Sequence, residues 1–253
     1  MSSTFLSLLA CACTFVAALL GVTLRDRLPA HHLDGDSKDS VKLVMGLIAT
    51  MTALVLGLLI SSAHSAFDAQ AGEVQQLGVH VFEIDRLLAR FGPDAAPQRE
   101  LLTRIVADEI TLIWPPKGVR RPAQTPIAVQ REAGALLEGI AALSPRTEVQ
   151  RFAQSRSLQL FASATETRLL LAEQARGALS WPFLAMLIAW LTLLFFGFGL
   201  FARLNATVVV AFLVGAGSVA GALFLILEMN QPYSGWLQVS SAPLRDALAV
   251  MNR

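Results

Sequence analysis

Four long apolar stretches constrain this chain more than any other feature, because they decide which solvent surrounds most of it. The stretches are residues 5–24, 43–63, 181–202 and 206–227. A helix needs about 20 apolar residues to cross ~30 Å of hydrocarbon. Each stretch meets that length, so the sequence predicts an integral membrane protein with four transmembrane helices.

The composition is typical of a membrane protein. Charged residues make up 15% of the chain and hydrophobic residues 54%, whereas soluble domains carry roughly 25% charged residues. The net charge is +1 and no basic block occurs, so we expect no nucleic-acid partner. Cys11 and Cys13 lie two positions apart in the first stretch. On a helix they point in nearly opposite directions and do not form a local disulfide.

The order of apolar and polar segments predicts an all-α protein in which two membrane hairpins flank a helical extramembrane bundle. The first hairpin takes residues 1–64 and includes a polar loop at 25–42. The helical domain takes 65–177, and the second hairpin takes 178–230. We expect the remaining segment, 231–253, to lie at the membrane interface.

An apolar stripe indicates that the second membrane helix continues beyond the bilayer until Gly92-Pro93 stops it. Its members follow heptad spacing: Phe67, Val74, Leu77, Val81, Ile84, Leu88 and Phe91. Such a stripe needs a partner helix outside the membrane. Helices are also predicted at 97–114 and 127–143, followed by a long helix after Ser144-Pro145. The apolar side of that last helix is expected to comprise Val149, Phe152, Leu160, Phe161, Leu169 and Leu171.

Small residues recur every four positions in the second and fourth spans. They are Ala49, Ala53, Gly57 and Ser61 in the second, and Gly217 and Gly221 in the fourth. In lipid, small residues let two helix backbones approach closely. The stripe predicts helix packing within or between subunits, and a second interpretation is that small residues line a narrow path.

The loop after the first span contains imidazole and carboxylate groups, namely His31, His32, Asp34, Asp36 and Asp39. These are possible ligands of a divalent cation. The alternatives are a solvated loop facing lipid headgroups and a loop that senses protons or a partner.

Polar residues also end the second and fourth spans, and four spans place both ends on the same side of the membrane. Ser61 and His64 end the second span, and Glu228 and Asn230 end the fourth. They are candidates for the mouth of an ion path. The alternative for Glu228 is an interfacial carboxylate beside Tyr233 and Trp236.

Several runs in this sequence resemble the bacterial bestrophin-like domain family of unknown function. The first hairpin contains His31-His32-Leu33, Ser37-Lys38-Asp39 and Gly46-Leu47-Ile48-Ala49-Thr50-Met51, and the C-terminal part contains Asn230-Gln231-Pro232-Tyr233 and Ser240-Ser241-Ala242-Pro243-Leu244-Arg245. The family-motif positions are His31, His32, Ser37, Lys38, Asp39, Pro243 and Arg245. The resemblance implies a remote likeness to bestrophins, which are pentameric anion channels whose membrane helices extend into a helical domain.

The sequence favours a channel-like role over catalysis. It contains no Gly-rich phosphate loop, no His-Glu-x-x-His helix and no nucleophile elbow, so we expect neither an enzyme nor a cofactor. The main hypothesis is a homo-oligomer in the lipid bilayer that conducts ions. The alternatives are a scaffold or sensor whose helical domain binds a protein partner, and a metal-dependent enzyme that uses the loop containing His31.

The expected location is the bacterial plasma membrane. Basic residues concentrate in the loop between the first two spans, at Arg25, Arg27, Lys38 and Lys42. Loops rich in Lys and Arg stay in the cytoplasm, so the helical domain is predicted outside it. The likeness to bestrophins implies the opposite side.

Overall fold

The structure, a computed structural model, shows a protein built from helices and connecting loops. It describes residues 3–25, 27, 35–115, 126–174 and 181–251, with the backbone alone for helix residues 35–38, 126–129, 172–174 and 181. Within these ranges there are eight α-helices and no strand. The all-α prediction and the four transmembrane helices are confirmed.

The helices follow the chain in a simple order. They are α1 (Ser3–Arg25), α2 (Gly35–Phe91), α3 (Ala96–Ile113), α4 (Pro126–Ala141), α5 (Glu148–Gln174), α6 (Trp181–Phe201), α7 (Ala206–Met229) and α8 (Ala242–Met251). The four candidate membrane spans lie in α1, α2, α6 and α7. Three of them agree with the predicted stretches to within two residues at each end, and the second stretch lies inside a longer helix.

Two compact units divide the chain. The membrane unit comprises Met1–Ala66 and Ala178–Asn230, and the extramembrane unit comprises Phe67–Gly177 and Gln231–Arg253. Each unit has its own buried apolar cluster.

Helix α1 packs against α6 and α7 in the membrane unit. Its buried face consists of small or short polar residues: Ser3, Ser7, Ala10, Thr14, Ala17, Ala18, Gly21 and Val22. The Thr14 hydroxyl donates to the Ala10 carbonyl oxygen at 2.9 Å, so this buried polar group is satisfied by its own helix. Helix α1 can therefore approach its neighbours closely.

Helix α2 is 57 residues long, which corresponds to about 86 Å at the usual rise of an α-helix. It begins at Gly35, so the second half of the expected 25–42 loop is helical instead. Asp36 and Ser37 lie inside the helix, because nothing in 36–42 prevents helix formation. The helix ends where expected, since Gly92 adopts φ 111° and Pro93 follows it.

The turn between α6 and α7 is well defined. Asn205 caps α7 by accepting a hydrogen bond from the Val208 backbone N–H at 2.8 Å, a common way to start a helix. On the same turn the Arg25 guanidinium donates to the Ala202 carbonyl oxygen at 3.4 Å.

The predicted seam of α2 is confirmed in the extramembrane unit. Val74, Leu77, Val81, Ile84, Leu88 and Phe91 are buried in its core, with Phe67 partly buried against it. Residues from α3, α4, α5 and α8 complete this core. The seam is therefore covered within the chain.

The buried side of α5 differs from the prediction. Val149, Phe152 and Leu169 are each more than 60% exposed. Leu160 and Leu171 are buried as predicted, but the other buried residues are Ala153, Ser157, Ala164 and Thr167. Their heptad spacing was present in the sequence, but small and polar members concealed it. Helix α5 buries a face of small residues because it packs closely on its neighbours.

The C-terminal segment, which the sequence predicts at the membrane interface, contains α8. Leu244, Ala247 and Met251 of this helix are buried in the extramembrane core together with Val239. Their spacing is that of an amphipathic helix. Tyr233 also belongs to this unit, where its ring packs edge-on against Trp114 with ring centroids 5.6 Å apart.

Candidate functional site

The membrane part of α2 is the least covered of the four candidate spans. Only 11% of its most apolar 18 residues are buried, against 17% in α7 and 39% in α1 and α6. Some contact exists, because Val55, Leu56 and Leu59 pack on the apolar cluster of the membrane unit. Met45, Thr52 and Ala63 are also buried, and most of the other side chains of the span are exposed.

One exposed face of α2 carries small and polar residues through the length of the span. Its members are Gly46, Thr50, Ala53, Gly57, Ser61 and His64, and all six are exposed. At 100° per residue they lie within a sector of about 80°. We call this set the small-polar stripe. A Cβ atom added to Gly46 or Gly57 would meet no atom within 4 Å, so the stripe has open space in front of it.

The neighbouring exposed face of α2 is different in chemistry. Leu47, Leu54 and Leu58 are 58%, 76% and 70% exposed. Large apolar side chains are what a helix presents to lipid tails. The span thus has a lipid-like face beside a small-polar one.

The small residues predicted to pack helices are only partly used within the chain. Ala49 is half-buried and lines a cavity of about 470 Å³ together with Met45 and Phe198. Ala53, Gly57, Gly217 and Gly221 are exposed, and the three glycines have nothing within 4 Å of an added Cβ. These four residues are therefore available for contacts outside the chain.

The close helix contact inside the chain uses two glycines that the sequence analysis missed. A Cβ atom on Gly21 would lie 2.1 Å from the Phe196 carbonyl oxygen, and one on Gly199 would lie 2.0 Å from that of Ala18. Small residues at every third or fourth position of α1 were the available signal. The first span is also a uniform apolar stretch, and that pattern hides the spacing of its small residues.

The four candidates for an ion-path mouth lie in different environments. Ser61 and His64 are exposed on the small-polar stripe, and Asn230 is half-buried at the C-terminal cap of α7. Glu228 is 2% exposed, and its carboxylate accepts a hydrogen bond from the Ser3 hydroxyl. Glu228 is therefore held against α1 in the membrane unit.

Two ion pairs are built into the extramembrane unit. Arg99 binds both carboxylate oxygens of Asp85, at 2.8 and 3.1 Å, and this hydrogen bonding raises the pKa of Arg99. Arg168 contacts Glu109 at 2.6 Å. Burial raises the pKa of Glu109 in spite of the opposing effect of Arg168. Both pairs connect neighbouring helices, and Asp85 also lines a depression of about 330 Å³.

A family model described as the bestrophin-like domain matches residues 12–244. The chain belongs to the bestrophin-like family. This confirms the resemblance seen in the sequence and shows a membrane protein of the bestrophin type. A comparison with curated proteins gave no match.

The bestrophin-like fold is also found in solved structures. One, described as the crystal structure of a membrane protein, superposes with a TM-score of 0.67 at 11% identity. The match covers 97% of this chain and 96% of the other. At that identity it shows the fold alone.

Only some family-motif positions of this bestrophin-like chain lie among the residues that the structure describes in full. Pro243 and Arg245 lie at the start of α8, where Arg245 falls just beyond the family match. His31, His32 and Asp34 lie outside the described residues, as do the side chains of Asp36, Ser37 and Lys38. Of the possible metal ligands only Asp39 is described in full, and it pairs with Lys42 at 3.2 Å. No group of metal-ligating side chains occurs among the described residues, and the proposed loop site stays a prediction.

Proposed function

We propose that this bestrophin-like chain assembles into a homo-oligomer in which the small-polar stripe of α2 lines a path for small ions. The observation that carries the proposal is the exposure of that stripe along a membrane span. Polar and ionisable groups in a span face protein or water rather than lipid tails. Repeated around the axis of an oligomer, the stripe becomes a narrow polar column.

The packing of the chain supports assembly. A Cβ atom added to Gly46 or Gly57 would meet nothing within 4 Å among the described residues outside its own helix, yet glycine in a helix interior costs roughly 0.5–1 kcal/mol relative to alanine. Close approach of another backbone, or the need for a wide passage, gives such residues a role. Both roles require more than one copy of α2 around a common axis.

Substituted cysteines test the path directly. In a background with Cys11 and Cys13 replaced by alanine, we would compare Gly57→Cys, Ser61→Cys and Leu58→Cys in purified protein reconstituted into liposomes. A charged, water-soluble thiol reagent should modify the cysteines at 57 and 61 and reduce the flux of halide or alkali-metal ions. The cysteine at 58, one residue away on the lipid-like face, should react much more slowly.

Two results would contradict the proposal. Faster reaction at 58 than at 57 and 61 would mean that the stripe faces lipid. Assembled wild-type protein that passes neither anions nor cations would remove the permeation role altogether.

A second candidate function is a scaffold or sensor whose extramembrane unit binds a protein partner. Exposed apolar residues on α5 favour it, because Val149 and Phe152 are each 63% exposed and lie three residues apart on one side of the helix. Phe152→Asp should abolish co-purification of a partner without changing liposome flux. A change in flux alone would instead assign these residues to the conducting assembly.

We also infer a plasma-membrane location with the extramembrane unit outside the cytoplasm. Basic residues that include Arg25, Arg27 and Lys42 cluster between the first two spans. Loops rich in Lys and Arg stay in the cytoplasm. Reporter fusions at Thr147, between α4 and α5, test the side. Activity of a cytoplasm-specific reporter there would reverse the orientation and leave the permeation proposal intact.

A further inference from the structure

A cavity of about 610 Å³ opens in the extramembrane unit between the end of α3 and the start of α8. That size is within the range of about 300–1,000 Å³ that is usual for small-molecule sites. The cavity is separate from the small-polar stripe, because all of its lining residues belong to the extramembrane unit.

One wall of the cavity is aromatic and fixed in place. Trp114 and Tyr233 line it and pack edge-on against each other. The indole N–H of Trp114 donates to the Val239 carbonyl oxygen at 2.9 Å, and the Val239 N–H donates to the Pro232 carbonyl oxygen at 2.8 Å. These bonds hold the 232–239 loop around the aromatic pair. The cavity is therefore preformed rather than a gap in a loose loop.

The polar part of the lining is rich in hydrogen-bond donors. Arg245 and Ser241 line it, and in the part of the chain that the structure describes their side chains have no hydrogen-bond or ion-pair partner. Ser240 also lines it and accepts from the Ala242 N–H at 3.1 Å, which leaves its hydroxyl hydrogen available. An arginine without an acidic partner beside two hydroxyl groups is suited to an oxyanion.

No carboxylate is among the described residues that line this cavity. Asp246 and Glu73, two acids of the same unit, are not in the lining. Asp246 lines a different depression, with Gly78 and Phe82. Glu73 acts on Tyr233, where burial first and this charge second raise the pKa of the phenol to about 12. Tyr233 is therefore neutral and adds no negative charge to the cavity.

We propose that this cavity binds a phosphate-bearing ligand, with the phosphate held by Arg245, Ser240 and Ser241 and the organic part lying against Trp114 and Tyr233. A planar guanidinium binds two phosphate oxygens at once, and the hydroxyls donate to the third. The same chemistry occurs in soluble phosphate esters and in lipid headgroups. The aromatic wall provides apolar contact for either.

Phosphate binding can be measured on the full-length protein in a non-ionic detergent by ³¹P line broadening of inorganic phosphate. We expect Arg245→Gln to weaken binding about tenfold or more, since it removes charge-assisted hydrogen bonds. Arg245→Lys keeps the charge but loses the planar guanidinium. It should bind phosphate more weakly than the wild type and more tightly than Arg245→Gln. Arg146→Gln removes an exposed arginine of the same unit that does not line the cavity, and should bind like the wild type.

Ser241→Ala gives a milder variant in case the arginine substitutions disturb α8, and it should weaken phosphate binding severalfold with unchanged circular dichroism. Wild-type protein that does not broaden the phosphate line, or equal broadening in Arg245→Gln and wild type, would overturn the assignment. These measurements need no ion flux, so they can fail or succeed independently of the permeation proposal.

Native mass spectrometry separates the two sources of phosphate. Phosphatidylglycerol adducts that are lost in Arg245→Gln but not in Arg146→Gln would support a lipid headgroup in the cavity. Broadening of inorganic phosphate that depends on Arg245, without such adducts, would support a soluble phosphate ester. Both a lipid headgroup and a soluble phosphate ester would be refuted if the phosphate line did not broaden and the adducts of phosphatidylglycerol and phosphatidylcholine were equal in all variants.

Discussion

Gly199 lies so close to Ala18 that a Cβ atom at position 199 would come within 2.0 Å of the Ala18 carbonyl oxygen. Gly21 makes the reciprocal contact, 2.1 Å from the Phe196 carbonyl oxygen. Both obstacles are backbone atoms, which cannot rotate away as a side chain can. Only glycine permits this separation between α1 and α6, and close packing of this kind is what holds helices together in lipid.

Gly199→Ala should therefore destabilise the membrane unit by at least about 2 kcal/mol, since overpacking forces the backbones apart. The measurement is the fraction of protein that remains monodisperse in detergent after heating. Gly217→Ala is the matched control, because its added methyl group meets nothing within 4 Å. Equal heat resistance of the two variants would show that the α1–α6 contact is looser than described.

Gly57→Leu should leave the folded subunit intact and dissociate the oligomer. The glycine has open space around it within the chain, so the cost of ~1–3 kcal/mol from overpacking arises only where a second copy approaches. Cross-linking and light scattering in mild detergent would report the change. Leu213→Ile, at an exposed site of α7, should keep the wild-type oligomer, and the same ladder for both variants would contradict the assembly.

Ile84→Asp should lower the unfolding free energy by about 3 kcal/mol or more, because it buries an unpaired carboxylate. Ile84 is 1% exposed in the core of the extramembrane unit. Val79→Asp places the same charge on the same helix at a site that is 55% exposed, and should cost little. The comparison uses thermal unfolding followed by circular dichroism, and similar midpoints would mean that the seam is misplaced.

Glu109 should give the extramembrane unit a specific pH dependence. Burial raises the pKa of this carboxyl above its ordinary value of 4.5, so between the two pKa values the folded state binds more protons than the unfolded state. Stability is then lost as the pH rises from about 4.5 through the folded pKa. Glu109→Gln should remove this loss, and the midpoint difference between variant and wild type should move in favour of the variant as pH rises. A difference that does not change with pH would falsify the assignment.

If the oligomer conducts, Glu228→Gln should change ion preference more than it changes stability. The substitution removes the carboxylate charge at nearly constant volume, and a glutamine carbonyl can still accept the hydrogen bond from Ser3. Relative rates of halide and potassium flux in liposomes provide the measurement. Glu166→Gln, at an exposed site of α5, is the control. Unchanged selectivity with reduced heat resistance would assign Glu228 a purely structural role.

The sequence predicted the spans and the α2 seam because both depend on local patterns. A stretch such as 206–227 is apolar whatever it contacts, and the spacing from Val74 to Leu88 repeats regardless of the partner helix. The structure added α8 and the small buried face of α5, where residues such as Ser157 and Ala164 carry little apolar signal. Small residues mark a close contact only when the partner is known.

The candidate site shows the same limit. Gly57 and Gly199 look alike in sequence, each a glycine within an apolar span, yet one faces open space and the other a carbonyl oxygen 2.0 Å from its missing methyl group. Whether a glycine of this kind contacts another helix depends on where α1 packs, and the sequence does not state that. The cavity beside Arg245 was likewise hidden, because Trp114 and Tyr233 approach each other only after α3 and the C-terminal loop have folded together.

The hydrogen bond between Ser3 and Glu228 joins residues 225 positions apart, and this separation has a consequence for biosynthesis. At ~5–20 residues per second, a ribosome needs about 10–45 s to make the partner after the first helix has emerged. During that interval α1 sits in or near the bilayer with Ser3, Ser7 and Thr14 facing no finished helix. Ser7 and Thr14 donate to carbonyl oxygens of their own helix, whereas the Ser3 hydroxyl gains its acceptor only when the last span has been made. Helix α1 therefore stays without its packing partners until the second hairpin has been synthesised.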